Sequence, residues 1–220
     1  MAGLIAIPHM GTVPTQFMQS FCYLMTTFHE IGNPATLWIA YHWTHIARET
    51  AARNCLDGKY EWLFFIDSDM TFPPDTLKKL LAHDAPIVSG LAFKRQWPPR
   101  PTIYKADDDD MNTIRNLTEW EEIQPIDAAG CACLLIRREV FEQIPQPWFG
   151  LSEWGAAEDI SFFTRVKKAG IPAICDTTIP IGHVGMYEFG LADFNRAKEV
   201  GAFADLRNRT ETPASKVTHL

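Results

Sequence analysis

The chain has 220 residues, and its composition excludes several classes of protein. Hydrophobic residues make up 46% and charged residues 21%, which is typical of a folded globular protein and not of a disordered one. Lys and Arg number 20 against 27 Asp and Glu, which gives a formal net charge of −7. No overall basic field therefore favours nucleic acid as a partner, although a local basic strip can still bind one.

The cysteines and the lengths of the apolar runs indicate the cellular compartment in which the protein is expected. The five cysteines form neither an even disulfide framework nor a zinc-binding spacing, so a reducing, cytoplasmic location is expected. Two of them lie in an apolar run and are expected to be buried strand residues. No basic leader precedes an apolar block, and no apolar run approaches the roughly 20 residues of a membrane span. The sequence predicts no membrane contact. The cysteines are Cys22, Cys55, Cys131, Cys133 and Cys175.

The first 92 residues alternate between short apolar runs and segments with helical spacing. This alternation, with short connections, predicts a parallel α/β unit of nucleotide-binding type. No glycine-rich dinucleotide fingerprint and no P-loop is present, so a metal is the expected means of holding nucleotide phosphates. The predicted strands are 3–8, 36–41 and 62–66, and the predicted helices are 15–30, 44–56 and 75–83.

A strand that runs directly into two carboxylates is the centre of this unit. Five apolar residues, Trp62 to Ile66, precede Asp67-Ser68-Asp69. Such a run predicts a strand buried on both faces, and ligands of α/β sheets collect at the carboxyl ends of strands. Paired carboxylates there suit a hard divalent cation that bridges to phosphate oxygens. The alternative is an Asp-rich turn that only caps the following helix.

The second half is less regular. A proline-rich basic strip at 94–101 precedes an acidic run at 107–110, which is expected to be a solvated loop. One histidine, His183, stands in a glycine-flanked turn at 179–185. We expect one domain over 1–190, in two halves at 1–92 and 93–190, followed by a C-terminal helix and tail at 191–220. The predicted strands are 85–93, 131–136 and 171–175, and the predicted helices are 138–144, 157–170 and about 192–207.

Three features of the sequence point to one family. Asp67-Ser68-Asp69 follows an apolar strand, Glu158-Asp159 opens a helix, and His183 follows a later strand. In that order, over about residues 3–185, they resemble the nucleotide-sugar glycosyltransferases of the GT-A fold, especially short single-domain phage-type members. The resemblance implies an α/β single domain of GT-A type with a Rossmann-like, mostly parallel central sheet flanked by helices. It makes 1–92 the nucleotide-binding half and 93–190 the acceptor half.

The resemblance also implies a metal and a donor. Asp69 and His183 would be ligands of a divalent metal, Mn²⁺ or Mg²⁺, with Asp67 beside it. Asp67 would also contact the nucleoside, with Ser68 next to it. The donor would be a nucleotide sugar, most simply a UDP-sugar. A metal suits this chemistry because the leaving nucleoside diphosphate develops negative charge, which a Lewis acid neutralises.

Further residues take roles from the same resemblance. Asp159 would be the base that deprotonates the acceptor hydroxyl, with Glu158 beside it, and such a base would imply inversion at the sugar. Gly130 would be the small residue under the donor sugar. The structural alternative for Glu158 and Asp159 is that they only stabilise the N-terminus of the helix. The expected lining of the nucleotide site is Pro8, His9 and Arg53, with Lys94 as a phosphate contact or a solvated lysine.

Two rival functions stay open. The run Phe64 to Thr71 also resembles the nucleophile strand of haloacid-dehalogenase-type phosphatases, in which Asp67 would form an aspartyl-phosphate. That strand is normally the first of its domain, whereas about sixty residues of strand and helix precede Asp67 here. No convincing late Gly-Asp-x-x-x-Asp metal motif follows either. The other rival is an inactive module that binds a sugar nucleotide.

The acceptor is the least determined part of the prediction. Short phage-type relatives include enzymes that glycosylate hydroxymethylated pyrimidines in DNA. The Lys94 to Arg100 strip, with Trp97 inside it, is the basic and aromatic segment that could meet a phosphate backbone. We narrowly favour modified DNA, with a saccharide or protein acceptor as the alternative. Trp97, Trp148 and Trp154 are expected to divide between the core and an acceptor platform.

Overall fold

The computed structural model describes residues 2–107, 110–151, 157–185 and 188–203. Its main sheet has seven strands, and two three-stranded sheets lie beside it. The strands are β1 (Gly3–His9), β2 (Ala35–Ala40), β3 (Trp62–Ile66), β4 (Met70–Thr71), β5 (Ile87–Leu91), β6 (Ile103–Asp107), β7 (Asp110–Asn116), β8 (Ile123–Ile126), β9 (Ala128–Ala129), β10 (Cys133–Arg137), β11 (Ala173–Pro180), β12 (Gly182–Val184) and β13 (Glu188–Phe189).

The helices follow the predicted order with one clear correction. The predicted helix over 15–30 is wrong at its end, because the α-helix stops at Met25 and a separate 3₁₀ turn covers Phe28–Glu30. Thr26 and Thr27 donate their hydroxyls to carbonyls of the last turn, which ends the helix without a continuing backbone ladder. The helices are α1 (Thr15–Met25), α2 (Thr44–Asp57), α3 (Thr76–Ala82), α4 (Arg138–Gln143), α5 (Glu158–Lys168) and α6 (Leu191–Glu199).

The central sheet is mostly parallel, as predicted. Its order is β2-β1-β3-β10-β5-β11-β8. Strands β1, β2 and β3 pair in parallel, as do β5 and β11, while β10 runs antiparallel between β3 and β5 and β8 runs antiparallel at the edge. The reversed β10 matters for function, because its beginning lies at the same edge of the sheet as the end of β3.

Strand β3 explains why helices cover both faces of the sheet. All five of its residues are buried. Leu63 and Phe65 pack into a cluster that contains buried residues of α2, α4, α5 and α6. Phe64 and Ile66 pack into the opposite cluster, with buried residues of α1 and α3. Each large apolar side chain so buried contributes about 1.5–3 kcal/mol, and the expectation of a sheet flanked by helices is confirmed.

The region between Phe93 and Gly130 differs most from prediction. No strand was predicted here, yet the region contains β6, β7, β8 and β9, of which β7, β6 and β9 form a separate sheet. The proline-rich and aspartate-rich stretches on either side of β6 obscure its short alternating pattern. The central two aspartates of the acidic run, Asp108 and Asp109, lie outside the described residues.

The end of the chain also needs correction. The last predicted strand, 171–175, is shorter than β11, which continues to Pro180. The predicted turn at 179–185 contains strand β12, which pairs with β4 and with β13. Helix α6 ends at Glu199, before the predicted 207, and residues beyond 203 lie outside the described part. Within the described ranges, no helix is both long and apolar enough to cross a membrane. All five cysteines are free, and Cys131 and Cys133 are buried.

Candidate functional site

Several of the sequence-predicted site residues converge on one edge of the central sheet. Asp67 directly follows β3, and Gly130 closely precedes β10. Because β10 is antiparallel to β3, Cys133 pairs with Ile66, and the Asp67 N–H donates to the Ala132 carbonyl at 3.1 Å. Strand β1 runs parallel to β3, so its last residues reach the same edge.

A tight turn separates the two aspartates. The Met70 N–H donates to the Asp67 carbonyl at 3.2 Å, which closes a four-residue turn with Ser68 inside it. Met70 then starts β4, which pairs with β12 through Met70 and His183. The short β4–β12 ladder therefore sets His183 beside Asp69. The two carboxylates have different partners.

Asp67 belongs to a buried ionic cluster centred on Arg48. The Nη2 atom of Arg48 lies 3.1 Å from both carboxylate oxygens of Asp67, and its Nη1 pairs with Glu158. The Arg48 side chain is only 5% exposed. Burial raises the pKa of the Asp67 carboxyl, although Arg48 opposes that shift.

Sequence analysis missed Arg48. A signal was present, because Ala47, Ala51 and Cys55 on the same helix form a small apolar face that is buried against the sheet. An arginine on such a face requires buried anionic partners, since an unpaired charge there would be very unfavourable. The predicted residue, Arg53, lies on the same helix but is exposed and pairs with Glu49, so the structure does not bring it to Asp67.

Asp159 stands next to this cluster at the start of α5. It is half-buried, and its Oδ1 accepts the N–H of Ile160 at 2.7 Å. Burial raises the pKa of its carboxyl, with Arg48 opposing and Glu158 adding to the rise. A Cβ on Gly130 would lie 3.2 Å from Thr102 Cβ and 3.8 Å from Asp159 Oδ2. The absent side chain of Gly130 thus leaves the space in front of Asp159 open.

Asp69 and His183 face each other on the other side of the turn. The Nε2 atom of His183 lies 3.2 Å from Asp69 Oδ2, and Nδ1 lies 2.9 Å from the Phe93 carbonyl oxygen. Since a carbonyl can only accept, Nδ1 carries a hydrogen. In the neutral imidazole, Nε2 then carries a lone pair that faces a carboxylate oxygen. Two acceptor atoms this close need a proton or a metal cation between them.

The charges around Asp69 agree with this arrangement. Partial burial would raise the pKa of the Asp69 carboxyl, but His183 and the Arg95 guanidinium outweigh it and hold the pKa below its usual value. Burial likewise opposes protonation of His183, but its hydrogen bonds to Asp69 and Phe93 raise its pKa. The surroundings of Asp69 and His183 therefore favour a positive charge between Oδ2 and Nε2.

A divalent cation fits this pair. Carboxylate oxygen and imidazole nitrogen are both ligands of Mn²⁺, and the Phe93 carbonyl orients the ring as outer partners of metal-binding histidines do. In the described ranges, no group of three or more His, Cys, Asp or Glu side chains is arranged to hold a metal. A metal here would take its other ligands from phosphate and water. Asp67 does not join the pair, because both of its oxygens accept from Arg48.

The remaining predicted residues have different surroundings. Pro8 and His9 end β1, and His9 Nδ1 accepts the Gly11 N–H at 3.2 Å. Lys94 lies over the Tyr104 ring, with Nζ 5.7 Å from its centroid. Trp97 is 53% exposed, whereas Trp148 is buried. Trp154 lies outside the described residues.

A cavity of about 550 Å³ opens beside the β4–β12 ladder. Ser20 and Thr71 contribute hydroxyls to its wall, Glu188 and Asp193 contribute carboxylates, and Phe72 and two prolines contribute apolar surface. Neither Lys nor Arg occurs among its described lining residues. Gly182 also lines it and pairs with Thr71, so the cavity lies against the ladder that carries His183.

Comparisons with known proteins bear on the fold. The sequence matches no protein-family model, and no curated protein matches it. Among solved structures, A197 from STIV aligns with a TM-score of 0.63 and 18% identity over 84% of this chain and 86% of that one. GalNAc-T7, solved with UDP, GalNAc and Mn²⁺, aligns with a TM-score of 0.55 and 11% identity over 86% of this chain and 43% of that one.

A glycosyltransferase involved in the glycosylation of the major capsid of PBCV-1 aligns at a TM-score of 0.45 and 11% identity, over 80% of this chain and 82% of that one. This chain spans less than half the length of the GalNAc-T7 chain. At such identities the similarity establishes the fold alone. The GT-A-type α/β fold expected from the sequence is confirmed, and GalNAc-T7 is among the solved structures that share it.

Proposed function

We propose that this protein is a metal-dependent glycosyltransferase that moves a sugar from a nucleotide sugar, a UDP-sugar, to an acceptor hydroxyl. The observation that carries the proposal is the pairing of Asp69 Oδ2 with His183 Nε2 at 3.2 Å, since both are ligand atoms for Mn²⁺. They lie at the sheet edge that also holds Asp67 and Asp159. A fold shared with GalNAc-T7, whose structure contains UDP and Mn²⁺, supports the same reading.

The donor would be held at the ends of β1 and β3. Asp69 and His183 would bind the divalent cation, which when bound supplies the positive charge that stabilises the leaving diphosphate. Asp67 would contact the nucleoside. The buried Arg48 fixes the orientation of its carboxylate through their hydrogen bonds. Ser68, Pro8 and His9 would complete the donor lining.

Asp159 would act on the acceptor. Its carboxylate takes the proton of the acceptor hydroxyl as the oxygen attacks the anomeric carbon, and the nucleoside diphosphate leaves from the opposite face. A raised pKa suits this role, because a stronger base near the working pH transfers the proton more effectively. The space over Gly130 would accommodate the donor sugar. This route inverts the anomeric centre.

The arrangement of Asp67 disfavours the phosphatase alternative. Both oxygens of Asp67 accept hydrogen bonds from the buried Arg48, whose positive charge stabilises the carboxylate and makes it a weaker nucleophile toward phosphorus. If Asp67 were the nucleophile, a phosphoenzyme would be trappable and would vanish in Asp67→Asn. The transferase proposal expects no such adduct.

Two acceptors follow from different observations. Modified DNA follows from the basic strip at 94–100, whose Trp97 is exposed. A saccharide acceptor is favoured by the cavity beside His183, whose described lining offers hydroxyls and carboxylates without a cation to meet a phosphate backbone. Sugar hydroxyls hydrogen-bond well to such groups, and prolines can pack against the apolar face of a sugar ring.

One experiment tests the function and separates the acceptors. The protein is incubated with Mn²⁺ and a panel of nucleotide sugars, together with hydroxymethylated DNA in one arm and neutral oligosaccharides in the other. Mass spectrometry of the products is expected to show a mass gain of one sugar in one arm. Absence of transfer in both arms, together with absence of metal-dependent hydrolysis of any nucleotide sugar, would overturn the proposed function.

A further inference from the structure

Two nitrogen atoms from different side chains converge on one oxygen of Asp69. Besides His183 Nε2 at 3.2 Å, the Nη1 atom of Arg95 lies 3.1 Å from Asp69 Oδ2. The same Nη1 donates to the Val184 carbonyl at 3.2 Å. A permanent cation thus sits on the oxygen that the proposed metal would use.

The backbone under Arg95 is fixed while its side chain is not enclosed. The Lys94 N–H donates to the Arg100 carbonyl at 2.7 Å, and the Thr102 N–H donates to the Ala92 carbonyl at 2.9 Å. These bonds close the base of the loop at 94–100. The Arg95 side chain itself is 51% exposed, so its guanidinium can leave Asp69 without unfolding any element.

The guanidinium and a divalent cation compete for Oδ2. Arginine remains protonated in proteins and cannot become a metal ligand, and two cations on one oxygen repel each other. Arrival of the metal therefore displaces Arg95 from Asp69. Once displaced, the guanidinium would still be tethered beside Asp69 by its loop, and its planar fork of donors matches phosphate oxygens.

We propose that Arg95 is an exchangeable cation of the donor site. In the free protein it neutralises Asp69 and holds the carboxylate beside His183. It yields Asp69 to the divalent cation and then binds the diphosphate of the nucleotide. This inference rests on the proposed function and adds Arg95 to it as a residue that contacts the substrate.

Removal of Arg95 has opposite effects on the two ligands. Mn²⁺ no longer competes with an exposed ion pair, so Arg95→Ala is expected to bind Mn²⁺ about two- to fivefold more tightly in the absence of nucleotide. UDP in the presence of Mn²⁺ loses a charge-assisted contact and is expected to bind about tenfold more weakly. Loss of a purely structural contact would not strengthen the binding of a metal.

The test measures binding rather than turnover. Mn²⁺ affinity is measured by electron paramagnetic resonance without nucleotide, and UDP affinity is measured by calorimetry at saturating Mn²⁺. Arg95→Ala is compared with wild type and with Arg115→Ala. Arg115 is a matched control, because it is an exposed arginine with a carboxylate partner, Asp107, at the same 3.1 Å. Urea unfolding of all three proteins confirms that they are folded.

The outcomes separate this inference from the proposed function. Tighter Mn²⁺ and weaker UDP binding in Arg95→Ala alone support the exchange. If wild type binds both ligands and Arg95→Ala matches it in both affinities, the exchange is wrong while the proposed function stands. If UDP binds wild type equally well in chelator but fails to bind Arg95→Ala, Arg95 replaces the metal permanently and the exchange is also wrong. If wild type binds neither ligand, the proposed function itself fails.

Discussion

The two aspartates of Asp67-Ser68-Asp69 are separated by one residue, yet each is paired with a very different arginine. Asp67 is held by Arg48, whose side chain is 5% exposed and also pairs with Glu158. Asp69 is held by Arg95, whose side chain is 51% exposed. The first arginine comes from the buried face of a helix, and the second comes from a loop.

This difference separates a fixed part of the site from an exchangeable one. Breaking a buried pair leaves a charge without water or partner, so the Arg48 cluster holds its geometry whether or not a ligand is present. An exposed pair gains little free energy and can be replaced by a stronger cation. The buried side of the turn thus positions Asp67 and the start of α5, while the exposed side leaves Asp69 available.

The largest expected effect falls on the buried side. Asp159→Asn removes the proposed base but keeps the size of the side chain, so kcat is expected to fall by about 10²–10⁴-fold while Mn²⁺ and UDP affinities stay unchanged. Steady-state kinetics measures kcat, and calorimetry measures the affinities for Mn²⁺ and UDP. Full activity in Asp159→Asn would show that the base is another residue.

Stability should distinguish the two arginines directly. Arg48→Met leaves Asp67 and Glu158 without their buried counter-charge, so the free energy of unfolding is expected to drop by about 3–5 kcal/mol. Arg95→Met is expected to lower it by less than about 1 kcal/mol. Urea unfolding at neutral pH measures both. Equal losses in the two variants would contradict the division into a fixed and an exchangeable side.

The pH dependence of activity should sharpen the assignment of Asp159. A base works only when deprotonated, and burial raises the pKa of Asp159 above its ordinary value of 3.8, so kcat/KM should fall as the pH is lowered through that raised pKa. Glu158 contributes to the rise through its negative charge. Glu158→Gln is therefore expected to move the acid limb of the pH profile of kcat/KM to lower pH. An acid limb that stays in place or moves to higher pH would argue against Asp159 as the base.

The sequence predicted the elements whose signals are local. The apolar run before Asp67 predicted β3, and helical spacing predicted α2 within one residue of its ends. It also named Asp69 and His183, which the structure brings together. Arg48 and Arg95 were not assigned to the site, because their roles depend on partners 19 and 26 residues away along the chain. The antiparallel insertion of β10 was equally out of reach, since strand direction is a tertiary property.

Irregular segments were the other source of error. The acidic run was expected to be a loop tip and lies where β6 connects to β7, but the two strands of this hairpin were not predicted. His183 was placed in a turn because glycines flank it, but in the structure Gly182 is part of the strand that pairs with β4. Glycine here serves close packing against Thr71 and Glu188 rather than a turn.

The central claim is that Asp69 and His183 hold a divalent cation that bridges to the donor. It is tested most directly by calorimetric titration of UDP into the protein with Mn²⁺ and with excess chelator. The account predicts binding that chelator abolishes and added Mn²⁺ restores, with strong weakening in Asp69→Asn and His183→Ala. Asp75→Asn is the control, because Asp75 is an aspartate with a 44% exposed side chain that directly precedes α3 and pairs with Lys79 of that helix. UDP affinity that is undiminished in chelator, or unaffected by the first two substitutions, would contradict the account.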